Sequence, residues 1–318
     1  MDIALVTPAL AAANNGNWQT AQRWARMLGA DYQVGLTSSW QAGNERCMLA
    51  LHARRSAPSI KAWRQAHPQR PLVVVLTGTD LYRDIAVDAD AQYSLAVADR
   101  LVVLNALGLR SVPAAYRSKT QVCLQSSPAR LAVLKTPRHL RALMVGHLRE
   151  EKSPATYFDA AWALRQRPDI LLDHIGAPLD AALGARAALL AAELPTYRWL
   201  GALPHAATRR RIQAAHVLVH ASQMEGGAHV LIEAITSGTP VLASGIDGNI
   251  GLLGENYTGY FPHGNVAALA SLLQACRDTP AMLADLHRQC AARAALFTPE
   301  QERTTLLNLF HSLLETNP

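Results

Sequence analysis

Two carboxylates carry the first suggestion of chemistry in this chain. Glu225 and Glu233 lie in Ser222-Gln223-Met224-Glu225-Gly226-Gly227-Ala228-His229-Val230-Leu231-Ile232-Glu233-Ala234, after an apolar run at 217–219 and before Gly238-Thr239-Pro240-Val241. Gly226 and Gly227 fall where a strand is expected to turn into a helix, leaving backbone N–H groups bare at the helix start. Such an end attracts anions and suits a pyrophosphate. Glu225 precedes the expected helix, and Glu233 lies nearly two turns along it, a rise of about 9 Å from Gly227. Carboxylates so separated can hold sugar hydroxyls on either side of a diphosphate, a hexose at one end and a ribose at the other. The plain alternative is a buried helix with a Gly-rich turn and one exposed Glu.

Polar groups close other apolar runs in the same way. His52, Arg54 and Arg55 follow the run at 48–51, and Thr77, Asp80 and Arg83 follow 72–76. His147, Arg149 and Lys152 follow 143–145, while Gly16 and Asn17 belong to a polar loop, Asn14 to Trp18, that enters a helix. His52 is a candidate for substrate contact, with a structural hydrogen bond as the alternative. Taken alone, Arg149 and Lys152 read as solvated charges near a helix start.

The elements that must position these groups form a regular series. Short, wholly apolar runs at 3–6, 48–51, 72–76, 101–104, 143–145, 170–172, 217–219 and 241–243 alternate with helix-length segments such as 18–28, 156–164 and 266–276. Strands apolar throughout are expected where helices cover both faces of a sheet, so the chain is read as α/β with parallel sheets. At about 150 residues per domain, 318 residues suggest two. A Pro-containing, basic stretch at 126–139 breaks the rhythm and is read as a linker. The expected division is an N-terminal acceptor-side Rossmann-like domain (1–130), a C-terminal nucleotide-sugar-binding Rossmann-like domain (131–296), and a C-terminal helix (297–318) returning to the first domain.

Composition narrows the class. Half of the residues are hydrophobic and 17% charged, enough for a buried core. The net charge of +6 is scattered, with no basic run of nucleic-acid length, which favours a small anionic ligand over a duplex. Cys47, Cys123, Cys276 and Cys290 form no C-x-x-C pair, which argues for a reducing compartment. The first residues briefly imitate a signal peptide, with 9–13 as its cleavage region, but lack a basic start; a first strand is the better reading. No apolar run approaches the ~18 residues of a membrane span. The expected location is the cytoplasm.

The E-x7-E pair, the following G-x-P-V, and Val145-Gly146-His147-Leu148-Arg149-Glu150-Glu151-Lys152 resemble the retaining GT-B glycosyltransferases, of the family 4 type. The resemblance covers about 143–265, ending in Gly259-Tyr260-Phe261-Pro262-His263-Gly264-Asn265. It implies a GT-B fold, two Rossmann-like parallel-sheet domains facing across a crevice, with C-terminal helices. It further implies that Glu225 contacts the donor hexose, Glu233 the ribose, and Lys152 the diphosphate. His147 stands where the family usually has Arg; Arg149 then supplies the guanidinium, whose bidentate grip on phosphate His cannot match. Gly16, Asn17, His147, Gly226, Gly227 and Ala228 complete the implied donor site.

Across nearly the whole chain, N-G-N-W-x-T-A-Q-R-W, L-H-A-R-R-S-A, L-T-G-T-D-L-Y-R-D and S-x-M-E-G-G-A are similar to the selenosugar synthases of selenoneine biosynthesis. That likeness implies transfer of a hexosyl group, N-acetylglucosamine or glucose, from a UDP-sugar to the selenium of selenophosphate. It implies neither metal nor cofactor, the UDP-sugar being a substrate, and no nucleic-acid partner. Thr77 replaces the His that many GT-B relatives carry. Selenophosphate is already an anion with a polarizable nucleophile, so loss of a base there is tolerable. A small, multiply charged acceptor suits guanidinium forks, which makes Arg54, Arg55 and Arg83, with Thr77 and Asp80, the implied acceptor site; the alternative for each arginine is a surface charge. Lys152, Arg149 and the 226–228 amides would stabilise the departing UDP, Glu225 would orient the sugar, and His52 is the one obvious base.

Two other functions stand beside this one. One is an O-glycoside-forming enzyme acting on a small metabolite or lipid; the other is a sugar-nucleotide-binding protein without turnover. Asp88-Ala89-Asp90 copies a metal-binding D-x-D, yet no strand precedes it, so a solvated loop is expected. His216 and His220 flank one strand without a third ligand in view. Trp18 and Trp24 are expected to pack a helix on the core.

Overall fold

The computed structural model describes residues 1–8 and 16–314; Asn14 and Asn15 of the first loop motif, and the 9–13 cleavage region, lie outside the described residues. The chain divides into two compact units. The first comprises the chain up to Ser126, Glu225–Gly227 and the chain from Thr298; the second comprises Ser127–Met224 and Ala228–Phe297.

In the first unit, β1 (Ile3–Val6), α1 (Gly16–Leu28), β2 (Val34–Thr37), β3 (Cys47–Leu51), α2 (Ala57–Ala66), β4 (Leu72–Leu76), α3 (Ala89–Val97), β5 (Arg100–Val103) and β6 (Thr120–Val122) follow in order. The sheet order is β2-β1-β3-β4-β5-β6, every pair parallel. Alternate residues of each inner strand enter separate cores. Ile3, Leu5, Leu49, Val73 and Val75 pack with Trp24 and Leu28 of α1. Ala4, Val6, Met48, Val74 and Leu76 pack with Ile60, Trp63 and Leu95 on the other face. Both faces are buried, which is why these strands read as unbroken apolar runs rather than alternating ones.

The second unit holds β7 (Leu140–Val145), α4 (Pro154–Ala163), β8 (Ile170–Ile175), α5 (Ala181–Glu193), β9 (Tyr197–Trp199), α6 (His205–Ala214), β10 (Val217–His220), α7 (His229–Ile235), β11 (Val241–Ser244), α8 (Asp247–Leu253), β12 (Tyr260–Phe261), α9 (Val266–Asp278) and α10 (Pro280–Arg293). Its order is β12-β11-β10-β7-β8-β9, again all parallel. The eight apolar runs are all strands, within a few residues at their ends. The four strands not anticipated, β2, β6, β9 and β12, are the edges of the two sheets. Residues 123–139 carry neither helix nor strand. No described helix is long and apolar enough to cross a membrane.

The last helix, α11 (Pro299–Leu314), adds Leu306, Leu309 and Phe310 to the core that holds Trp24. Its Glu302 is 1% exposed. That carboxylate accepts a fork from Arg23 (2.9–3.1 Å), Trp24 Nε1–H (2.5 Å), and the N–H (2.9 Å) and hydroxyl (2.5 Å) of Ser126. One buried anion thus ties α11, α1 and the end of the first unit's main segment together. Removing it takes the acceptor away from a half-buried guanidinium and a buried indole N–H, a loss worth about 3 kcal/mol. Urea unfolding of Glu302→Ala is expected to show that loss. Glu302→Gln, which keeps one acceptor oxygen, is expected to lose less.

Candidate functional site

Polar groups of the first unit gather where β3, β4 and β5 end. Asp80, fully buried, organises them. Its Oδ2 accepts Ala53 N–H (2.8 Å) from the turn after β3, and its Oδ1 accepts the N–H and hydroxyl of Thr77 (both 2.7 Å) after β4. Asp80–Asp84 form a π-helical turn, an irregularity common at functional sites. His52 lies in the left-handed region at φ +72° and is 1% exposed. Its Nδ1 accepts Arg55 N–H (3.4 Å), so Nε2–H donates to Thr79 Oγ1 (3.1 Å). Burial lowers its pKa, although Asp80 opposes this, and the ring stays neutral.

Asp80, expected at the acceptor, is sealed from solvent, and both its oxygens hold the two turns. His52, expected as a base or a substrate contact, has both ring nitrogens hydrogen-bonded inside the unit. Thr77 likewise spends its hydroxyl on Asp80. Among the arginines, Arg54 (2.7 Å) and Arg83 (3.0 Å) both donate to the buried Asp84. Burial would raise that carboxyl, but the two guanidinium groups outweigh it and hold it below its ordinary range. Arg55 is exposed, and its guanidinium has no partner among the described residues. Gly16 and Asn17 open α1, with the Gly16 carbonyl accepting the Thr20 hydroxyl (2.8 Å).

Glu225–Gly227 belong with this unit although they follow β10 in the chain. A Cβ on Gly226 would lie 2.5 Å from the Thr77 carbonyl carbon, and one on Gly227 would lie 2.7 Å from Leu104 Cβ. Asn105, just beyond β5, donates through Nδ2 to the Gly226 carbonyl (2.7 Å). The glycines are therefore demanded by close backbone packing. Their expected place at a helix start is corrected: α7 begins at His229, with Ala228 as its cap.

In the second unit, β7 ends in Gly146 and His147. The carbonyl of Gly146 accepts His174 Nε2–H (3.3 Å), and Ala177 N–H donates to His147 Nδ1 (3.1 Å). Burial pushes His174 down to about 4, keeping it neutral. A Cβ on Gly176 would come within 1.9 Å of the Gly146 carbonyl oxygen, so only glycine lets these strand ends meet. Lys152 closes a short 3₁₀ turn, Glu150–Lys152, and its stem lies over Gly146, with Cγ and Cδ 3.5 Å from where a Cβ there would sit. Arg149 is exposed, its Nε 3.9 Å from Glu151 Oε2.

Glu233 sits one turn into α7 rather than nearly two, because the helix starts later than expected. It is 4% exposed, and Oε1 is met by His205 Nε2 (2.6 Å), His229 Nδ1 (3.5 Å) and Arg209 Nη1 (3.8 Å). Burial raises its pKa, but the two histidines outweigh this and hold the carboxyl at about 2. His229 and Glu233 are four apart on one helix, a pairing legible in the sequence. His205, Arg209 and Asn105 reach their places only through the fold.

The remaining motifs resolve as structure. Asp88 caps α3 by accepting Ala91 N–H (2.9 Å), and Asp90 pairs with Lys61 (2.6 Å), so the expected loop is a helix start. His216 accepts Arg141 N–H (3.0 Å) and donates to the Thr136 carbonyl (2.8 Å). Among the described residues, no group of three or more His, Cys, Asp or Glu could hold a metal ion. Trp24 is buried in the core as expected.

Glu233 yields a pH test. A carboxyl lowered from 4.5 to about 2 stabilises the fold fully above 4.5, and that contribution is lost as pH falls toward 2. Urea unfolding of wild type and Glu233→Gln is expected to differ by about 3 kcal/mol above pH 5, with the gap closing on acidification. A gap that does not change with pH would contradict the assignment.

Residues 132–294 match the family model described as "Glycosyl transferases group 1". Comparison of the sequence with curated proteins gives no match. Among solved structures, sucrose-phosphate synthase from Thermosynechococcus elongatus is similar over 99% of this chain and 100% of its own, with TM-score 0.79 and 18% identity. HepE from Anabaena, solved in complex with UDP and glucose, is similar over 98% and 100%, with TM-score 0.78 and 15% identity. A UDP-forming α,α-trehalose-phosphate synthase from Burkholderia vietnamiensis is similar over 94% and 80%, with TM-score 0.67 and 12% identity. Likeness at such identities concerns the fold, which is GT-B. With the family model matching just over half of its 318 residues, the chain belongs to the glycosyl transferases group 1 family.

Proposed function

We propose that this glycosyltransferase is a selenosugar synthase, moving N-acetylglucosamine or glucose from a UDP-sugar to the selenium of selenophosphate in the cytoplasm. The C1–O bond to UDP breaks, the C1–Se bond forms, and UDP leaves with the bonding pair. The observation that carries this reading is the state of the groups at the ends of β3 and β4. His52 is buried and neutral with both nitrogens engaged, and Asp80 is sealed. An acceptor hydroxyl would need one of them as a base. Selenophosphate arrives ionised and needs only a cation, which the exposed Arg55 offers. Motif similarity across the chain supports the same acceptor, and the UDP bound by the similar HepE and formed by the similar trehalose-phosphate synthase supports the donor.

Each donor residue then has a separate task. Lys152 and Arg149 meet the diphosphate as its charge grows in the transition state. Glu225 orients the hexose, and Glu233, held by His205 and His229, receives the ribose. Gly16, Asn17, His147, Gly226, Gly227 and Ala228 shape the rest of the donor's surroundings. Arg54 and Arg83 act through Asp84, leaving Arg55 as the acceptor contact. Neither metal nor cofactor enters the scheme.

UDP release from UDP-N-acetylglucosamine and UDP-glucose, with and without selenophosphate, tests the proposal. Release is expected only with selenophosphate and is expected to survive EDTA; release with sugar or lipid hydroxyls instead, or none with any acceptor, would overturn it. Lys152→Ala is expected to lower kcat by ~10²-fold or more, and Glu233→Ala mainly to raise the donor KM. Arg55→Ala is expected to raise the selenophosphate KM about tenfold and leave the donor KM unchanged. Inorganic phosphate should compete with selenophosphate yet yield little sugar phosphate, since oxygen is the harder and more tightly hydrated nucleophile.

A further inference from the structure

The second unit contains a cavity of about 550 Å³ that the glycosyl-transfer reading does not use. It opens where its sheet begins, lined by Leu140 at the first residue of β7, His216 just before β10 and Pro240 just before β11. Gly146 and Lys152 lie beyond the other end of β7, about 20 Å along a six-residue strand. The cavity is thus remote from the strand ends that carry the donor groups of this unit.

Its lining has two characters. Leu140, Pro240, Leu283 and Ala284 give apolar walls. Five lining residues are basic, Lys135, His139, His216, Arg277 and His287, and none is acidic. Arg277 is neutralised by Asp169 (2.7 Å), and His216 is held neutral by burial, with both nitrogens bonded to backbone. Lys135 is different: it has no hydrogen bond or ion pair among the described residues, and burial alone brings its ammonium down to about 8. A half-buried, unpartnered cation beside apolar walls calls for an anion with an apolar body. The chain leading into the cavity extends the apolar surface, since Leu131 and Leu134 are exposed and Ala132 lies against Gly238, which lines the cavity. The volume falls in the usual range for small-molecule sites, roughly 300–1,000 Å³.

We propose that this cavity binds a small amphiphilic anion, with a carboxylate or phosphate paired to Lys135 and an apolar tail lying along Leu140, Leu283 and Ala284. The site stands independently of the acceptor assigned above.

Fluorescence titration with 1-anilinonaphthalene-8-sulfonate, an apolar anion, tests this on the full chain, with the uncharged N-phenyl-1-naphthylamine as its counterpart. A single saturable site is expected for the sulfonate. Lys135→Met, which keeps the stem and removes the charge, should weaken it about tenfold and leave the neutral probe unchanged. Ala284→Trp, which fills the cavity, should abolish both. Should Ala284→Trp fail to melt cooperatively, Lys135→Glu on the accessible rim replaces it, with the sulfonate lost and the neutral probe retained. Competition by decanoate against decyl phosphate separates a carboxylate head from a phosphate head, while saturating UDP should displace nothing. Sulfonate binding that ignores the Lys135 substitutions, or that UDP displaces, would overturn the proposal.

Discussion

Every strand of both sheets runs parallel to its neighbours, so each connection must carry the chain back outside the sheet, in most cases through a helix. That constraint buries the strands on both faces and leaves their ends as the places where a polar side chain can emerge. The consequences are visible at each functional group. His52, Thr77, Gly146 and Ser222 all stand within two residues of a strand's C-terminal end. Residues at the opposite end of the second sheet, such as His216 and Pro240, line the cavity at that end.

Holding several strand ends in register requires more than the sheet. In the first unit the task falls to Asp80, whose two oxygens bridge the turns after β3 and β4. The second unit has no equivalent carboxylate at β7 and β8; glycine replaces it, with Gly176 so close to the Gly146 carbonyl that no side chain fits. Both devices fix backbone rather than substrate, and they account for polar or small residues that would otherwise pass for ligands of the reaction.

The same distinction sorts the cations. Arg54 and Arg83 share Asp84, and Arg23 is locked onto Glu302, so their charge is spent on the fold. Arg55 is exposed without a partner among the described residues. A charge left unpaired at a strand end is available to an anion at little cost, whereas a paired one must first abandon a carboxylate. The net charge of +6 is therefore a poor guide to where anions bind.

The sequence alone determined the fold class and the inner strands, because burial on both faces leaves a signature that needs no tertiary knowledge: an unbroken apolar run. It missed β2, β6, β9 and β12 for the complementary reason. These are edges, paired on one side only, and runs such as Thr120–Val122 and Tyr197–Trp199 carry polar residues that erase the signature. The acidic motif Glu225 to Glu233 was legible in the sequence, while the His229–Glu233 contact was not read there, although helical spacing allows it. Tertiary structure alone decided what those residues touch. Gly226 and Gly227 read as a helix start until the backbone of Thr77 and the side chain of Leu104 come within contact of them. His52 and Asp80 read as a base and an acceptor contact; the fold adds that both are buried and hydrogen-bonded to other segments of the unit. Spacing along a chain reports which groups share an element; whether a group keeps a free lone pair depends on neighbours brought from far away in sequence, and only the folded chain supplies those.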